Sequence, residues 1–136
     1  MTMRFTARAV GVDEDDELEC LTAGVAEDED GEGMLLLFMC GLTEPDEEDA
    51  ELGEDTHCLV TADQGTAYGA VRQLVLRDRV LRVRVDDSSL EELGLDDPEI
   101  EAVLDVDDAA IDQLRLGLAR IMAYGRPDAR PAEVEL

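Results

Sequence analysis

Carboxylates are the most abundant reactive side chains in this sequence: 36 Asp and Glu stand against 11 arginines and no lysine, a formal net charge of −25. Paired carboxylates can serve as general acid and base. With so many, some pair always falls at a suitable separation, so pairing without a cleft and shifted pKa values identifies no catalytic centre. His57 is the only histidine, which leaves Ser-His and Cys-His schemes one candidate base and no cue to its nucleophile. A zinc site would have to gather His57 with Cys20, Cys40 and Cys58, yet no CxxC or HxxxH spacing exists. Buried thiols and a half-exposed strand histidine are the simpler reading. Asp28, Asp30 and Glu32 around Gly31 match part of a calcium loop, but the twelve-residue spacing to a closing glutamate is absent, and a solvated hairpin turn is expected instead. No Walker-type or dinucleotide glycine loop is present, and the net charge opposes direct binding to a nucleic acid backbone. The expectation is a protein with no catalytic residue, no cofactor and no metal, a binder and not an enzyme.

The charge is lopsided. Residues 1–71 carry 20 acids and two arginines, a net of −18, whereas residues 72–136 carry 16 and nine, a net of −7. From Ala9 to Val71 there is no Lys or Arg at all, so carboxylates there repel one another without local cations, which destabilises a compact state. A solvated face that only maintains solubility, or a high-salt adaptation, would explain acidity as such, and high-salt adaptation predicts evenly spread charge. A disordered acidic tail conflicts with the apolar segments interleaved among the acids. A basic partner explains the asymmetry, since a negative face steers a cationic surface into contact and then covers it.

The elements that must position these groups follow from periodicity. A chain of 136 residues is one ordinary domain, and its longest apolar run, Met34 to Cys40, is far too short to span a bilayer. The N-terminal MTMRFTARAV alternates where a secretory signal would need a basic start and an apolar block, so the chain is expected to be cytoplasmic. Alternation predicts a first strand over residues 2–10, an acidic turn at Asp13 to Glu17, and a strand from Leu18 to Ala26 in which Gly24 marks a bulge. The Met34–Cys40 run predicts the central strand of the sheet. Strands are further expected at Thr56–Thr61, Ala67–Leu76, Val80–Val85 and Ile100–Val106, with a tight hairpin loop at Arg77–Arg79 whose flanking arginines lie against acids on neighbouring strands. Ser88 and Ser89 precede Glu91 and Glu92 at capping-box spacing, and Gly94 is placed to end that short helix. Asp107 or Asp108 caps the longest helix, Ala109 to Tyr124, with Ile111, Leu114, Leu118, Ile121 and Met122 on its apolar side. The fold class is therefore α+β: a mostly antiparallel β-sheet of about seven strands, with a short helix and a long C-terminal helix packed on it. Residues 1–127 form a single domain and 128–136 a mobile tail.

One stretch joins surface chemistry to core, PDEEDAELGEDTHCLVTADQGTAYGAV at Pro45–Val71. The order of an MRFTARAV strand, an acidic turn, an LLLF strand, an acidic segment closing in LGEDTHCLV and then DQGTAYGAV resembles the immunity protein 10 family of bacterial polymorphic toxin systems. Asp55, Thr56 and Cys58 followed by Asp63, Gln64, Thr66, Tyr68 and Gly69 carry the resemblance, and the later LRVRVDD and LDVDDAAIDQLRLGLARIM follow the same layout. It implies a small cytoplasmic antidote that binds and neutralises a cognate toxin domain. The charge adds the expectation of a basic toxin, such as a nuclease whose cleft needs Arg or Lys to hold phosphates. The candidate partner-binding residues are Asp46, Glu47, Glu48, Asp49, Glu51, Glu54 and Asp55, with Tyr68 as an aromatic anchor. The alternative class is an acidic structural or regulatory domain whose charge serves solubility or high-salt adaptation.

Overall fold

The computed structural model describes residues 3–17, 19–28, 33–42, 47, 56–61, 65–125, 131 and 133–136. Among the described residues, ten strands form two five-stranded sheets, with strand orders β1-β9-β8-β7-β10 and β2-β3-β4-β5-β6. The first sheet comprises β1 (Met3–Ala7), β7 (Val71–Arg77), β8 (Val80–Val85), β9 (Glu99–Leu104) and β10 (Glu133–Glu135). The second comprises β2 (Ala9–Asp15), β3 (Cys20–Ala26), β4 (Leu35–Gly41), β5 (Cys58–Thr61) and β6 (Thr66–Tyr68). Pairing is antiparallel except at the edges of the first sheet, where β1 runs parallel to β9 and β10 parallel to β7. The fold is α+β and strand-rich. The expectation of one sheet of about seven strands is corrected to ten strands in two sheets.

Two expected strands are each a pair that changes sheet. Apolar and polar residues alternate from Met3 to Ala9, yet the chain bends at Arg8, so that β1 pairs with β9 and β2 with β3. The Arg8 N–H bonds the Ala26 carbonyl at 3.0 Å and pins the bend. The segment from Ala67 to Leu76 breaks at Gly69, whose φ of 64° only glycine adopts without strain. At both corners the inward-facing set changes phase, from Ala7 to Val10 and from Ala67 to Ala70, over too few residues for apolar alternation to reveal it.

Both sheets turn apolar side chains into one core. Phe5, Leu74, Leu81, Val83 and Ile100 from the first sheet and Leu21, Leu36, Phe38 and Leu59 from the second are essentially inaccessible. β4 lies at the centre of its sheet as its apolar run predicts. Gly24 marks no bulge: β3 pairs without a register shift to Gly11 on one side and Leu37 on the other. The acidic turn begins later than expected, because β2 continues through Asp13 and Glu14 to Asp15, held by the ladder to β3.

A short helix, α1 (Leu90–Leu93), follows a 3-10 turn over Asp87–Ser89. Asp86 caps that turn, its Oδ1 accepting the Ser88 N–H and hydroxyl, whereas Ser89 makes no side-chain capping bond. Gly94 ends α1 with φ 67° as its position predicts. The second helix, α2 (Asp108–Met122), has 15 residues and packs against β2, β3 and β4. It is neither as long as expected nor C-terminal, since β10 follows it, formed by residues Glu133–Glu135 of the segment expected to be mobile. Its five predicted apolar residues are all buried. Asp107 caps it, Oδ1 accepting the Ala110 N–H at 2.8 Å. Asp107→Ala is expected to lower stability by about 1 kcal/mol, the usual loss of an N-cap, read as a denaturant midpoint shift with unchanged slope.

Candidate functional site

The arginines define one half of the molecule. Eight of the nine described arginines pair with an acid, six of them on or beside the first sheet. Arg82 and Arg4 converge on Glu101, and Arg84 reaches Glu99 across the β8–β9 ladder, as their cross-strand placement predicts. Arg72 bonds Asp86 at 2.7 Å; that guanidinium, with the Ser88 amide and hydroxyl, holds the Asp86 carboxyl down to about 2. The turn at Asp78 and Arg79, both with positive φ, is tied to α2 by the Arg79 guanidinium, which bonds Asp108 and the Val106 carbonyl. A two-residue turn of this kind matches the twist of its strands, and the pair of bonds offsets the strain of a left-handed arginine. These pairs are exposed and individually weak. Their effect is to neutralise one side of the protein.

The other sheet carries no Lys or Arg on any strand. The cation-free stretch of sequence, Ala9 to Val71, contains every strand of it. An ion pair that reaches it joins Glu14 to Arg120 of α2 at 3.1 Å, on the side where the helix packs. A sequence asymmetry thus becomes a spatial one.

His57 sits where the chain passes between sheets. It is completely buried, a correction to the half-exposed position expected for it. Its carbonyl accepts the Gly69 N–H at 2.9 Å, and its Nε2 accepts the Val71 N–H at 3.2 Å. The imidazole therefore holds the backbone across the β6–β7 corner. Burial, with a smaller contribution from Arg72, lowers its pKa to about 4, so the ring is neutral at pH 7. Because Nε2 accepts, the proton must sit on Nδ1, which is buried and has no hydrogen-bond partner among the described residues. This is a structural histidine, not a general base poised near neutrality.

Two of the three thiols are likewise shielded by burial. None of the three forms a disulfide, Cys40 and Cys58 are buried, and burial pushes the Cys40 thiol up to about 11. No group of three or more His, Cys, Asp or Glu among the described residues is placed to hold a metal ion. No helix among them is long and apolar enough to cross a membrane.

Of the predicted contact residues, Asp46, Glu48, Asp49, Glu51, Glu54 and Asp55 lie outside the described residues, as do Asp63 and Gln64. Glu47 is exposed. Tyr68 is 47% exposed on β6, the edge of the cation-free sheet, and its register partner is Cys58, followed by Met39, Thr22 and Asp13 in one row across the sheet. Much of the THC…DQGTAYG pattern is architectural. Thr56 is buried and donates to the His57 carbonyl at 3.0 Å, Gly65 abuts the backbone of α1, and Gly69 makes the corner. Thr61, next to that pattern, is buried and donates to the Leu93 carbonyl at 2.6 Å, a bond that sequence reasoning did not reveal.

The family model for immunity protein 10 matches residues 6–112, and the chain belongs to that family. Membership makes it an immunity protein against a polymorphic toxin, a class whose members are typically non-enzymatic inhibitors. No curated protein and no solved structure matches it.

Proposed function

We infer that this chain is a cytoplasmic antidote that binds a basic toxin domain, of nuclease type, through β2 and the acidic connections of the β2–β6 sheet. The observation that carries the reading is the partition of charge: arginines neutralise the β1/β7–β10 sheet, while the strands of the other sheet have no cation of their own. High-salt adaptation alone would spread acids over both sides. A nuclease holds phosphates with Arg or Lys in a cleft, and a carboxylate-rich surface placed there occupies those cations and excludes the substrate backbone. Asp46, Glu47, Glu48, Asp49, Glu51, Glu54 and Asp55 would supply charge, and Tyr68 an aromatic contact of the kind that dominates interface energies.

The test is association kinetics with the toxin domain encoded beside this chain, in catalytically silenced form. Reversing Asp46, Glu47, Glu48 and Asp49 together to Lys is expected to lower the association rate by about tenfold or more at low salt and to flatten its salt dependence. Rates unchanged by that reversal would remove steering as the reason for the acids.

A further inference from the structure

The two sheets present opposite chemistries to solvent. On the first, the outward positions of β8 are Arg82 and Arg84, set against Glu101 and Glu99 of β9. On the second, the corresponding positions of β4 are Leu35, Leu37 and Met39, with Val60 beside Leu37 on β5, all only half-buried. An antiparallel sheet with one solvated face ordinarily alternates apolar inward with polar outward. Here the alternation fails on one face of one sheet, in a chain of net charge −25.

Glycines open that face into a groove. Gly11 of β2 and Gly24 of β3 are register partners, so two adjacent strands lack side chains at the same level. Leu37 lies over Gly24, its Cδ2 2.5 Å from where a Cβ would stand, while a Cβ at Gly11 would meet nothing within 4 Å. The result is an open depression of about 340 Å³ between β2, β3 and β4, walled by Ala9, Thr22, Ala26, Leu35 and Leu37. Asp13 is the single charged residue lining it among those described.

We propose that this face is where the toxin docks, and that the groove receives an aliphatic or aromatic side chain projecting from a cationic toxin surface. The proposal rests on the antidote reading and adds to it where and by what contact the toxin is held. Charge names the occupant. No cation lines the groove, Asp13 is exposed on its wall, and Asp15, Asp16 and Glu17 continue from the same strand end. A partner must therefore bring positive charge around its apolar anchor, and a second copy of this chain would bring like charge instead. A small molecule is a poorer match, since ligand pockets enclose their ligand and place several converging polar groups. Tyr68 stands exposed in the row that starts at Asp13, at the far edge of the same face. Anchor groove, acids and tyrosine thus share one surface, in the pattern of an apolar centre with a charged rim.

Gly11→Phe fills the groove and leaves the core untouched. With the silenced toxin domain encoded beside this chain as probe, it is expected to raise the dissociation constant by about 30-fold or more, the size of a hot-spot loss, with an unchanged or higher melting temperature. Asp13→Arg, an exposed edge-strand change, is expected to weaken binding by about tenfold, and it carries the test should Gly11→Phe misfold. Arg84→Gln, on the opposite outer face, should stay within about twofold. Binding by Gly11→Phe and Asp13→Arg within about threefold of the parent chain would overturn the groove proposal and leave the antidote reading intact. Failure of the unaltered chain to bind that toxin would overturn the antidote reading itself. A dimer of the unaltered chain that Gly11→Phe dissociates would assign the groove to self-association and overturn the proposal.

Discussion

Acidification from pH 6.5 towards 4 is expected to remove about 3 kcal/mol of stability through His57 alone, since its folded pKa is lowered from 6.5 to about 4. Burial is the main cause, and the nearby Arg72 adds to it. Over that window the unfolded chain binds a proton on the imidazole that the folded chain does not, so stability is fully present above pH 6.5 and falls as the pH drops. Protonation also removes the Nε2 lone pair that accepts the Val71 N–H, the bond that fixes the β6–β7 corner. The 36 carboxylates act in the opposite direction, because their protonation relieves self-repulsion. The two effects separate by subtraction against His57→Gln, which keeps an acceptor but does not titrate. Chemical denaturation at half-unit pH intervals should show the difference between the two proteins shrinking as the pH falls from 6.5, by an amount equivalent to roughly 10 °C in melting temperature at the lower end. A constant difference would mean that His57 is accessible to protons in the folded protein, contrary to its complete burial.

What could be read from the sequence was local. Alternation located most of the strands, Gly94 ended α1 with positive φ, and the apolar face of α2 was named residue by residue. The first sheet change was hidden because apolar alternation runs on to Ala9, whereas the inward-facing set passes from Ala7 on β1 to Val10, packed against the core, on β2. β10 was invisible for a different reason. Glu-Val-Glu carries no strand signal, and it is held by pairing with β7 and by Gln73–Glu133 and Arg77–Glu135 contacts from residues some 60 positions earlier. The cap of the 3-10 turn went to Asp86 because its carboxylate is also oriented by Arg72, a partner that capping-box spacing does not record.

The proposed binding face was legible in charge but not in shape. Counting acids identified the stretch that lacks cations, and Tyr68 was picked out from it. The register that sets Gly11 beside Gly24 is a tertiary fact. Each glycine alone reads as a weak strand position or a bulge, and only their opposition opens a groove. Likewise the signature around DQGTAYG reads as a surface turn, whereas its glycines are fixed by what they touch on α1 and at the sheet corner.

Gly65→Ala should consequently be among the most damaging single-atom additions available. A Cβ there would stand 2.5 Å from the Glu92 carbonyl oxygen and 2.7 Å from the Leu93 Cα and carbonyl carbon, all of them backbone. A flexible side chain could swing away; α1 cannot. Leu93 is fully buried, its carbonyl accepts the Thr61 hydroxyl, and the Gly94 and Leu95 amides close the helix onto Glu91 and Leu90. Relief therefore requires moving either the helix or the β5–β6 turn, at a cost of about 3 kcal/mol, the upper part of the range for overpacking. Gly11→Ala supplies the contrast, because its Cβ enters open space in a strand and should stabilise by about 0.5–1 kcal/mol. Denaturant midpoints of the two variants should therefore move in opposite directions with similar slopes. Because β6 carries Tyr68 at the edge of the proposed docking face, the part of Gly65→Ala that remains folded should also bind toxin more weakly than Gly11→Ala does. Equal midpoints for the two alanine variants would show that the turn is free of α1, and the rigid presentation of Tyr68 would lose its basis.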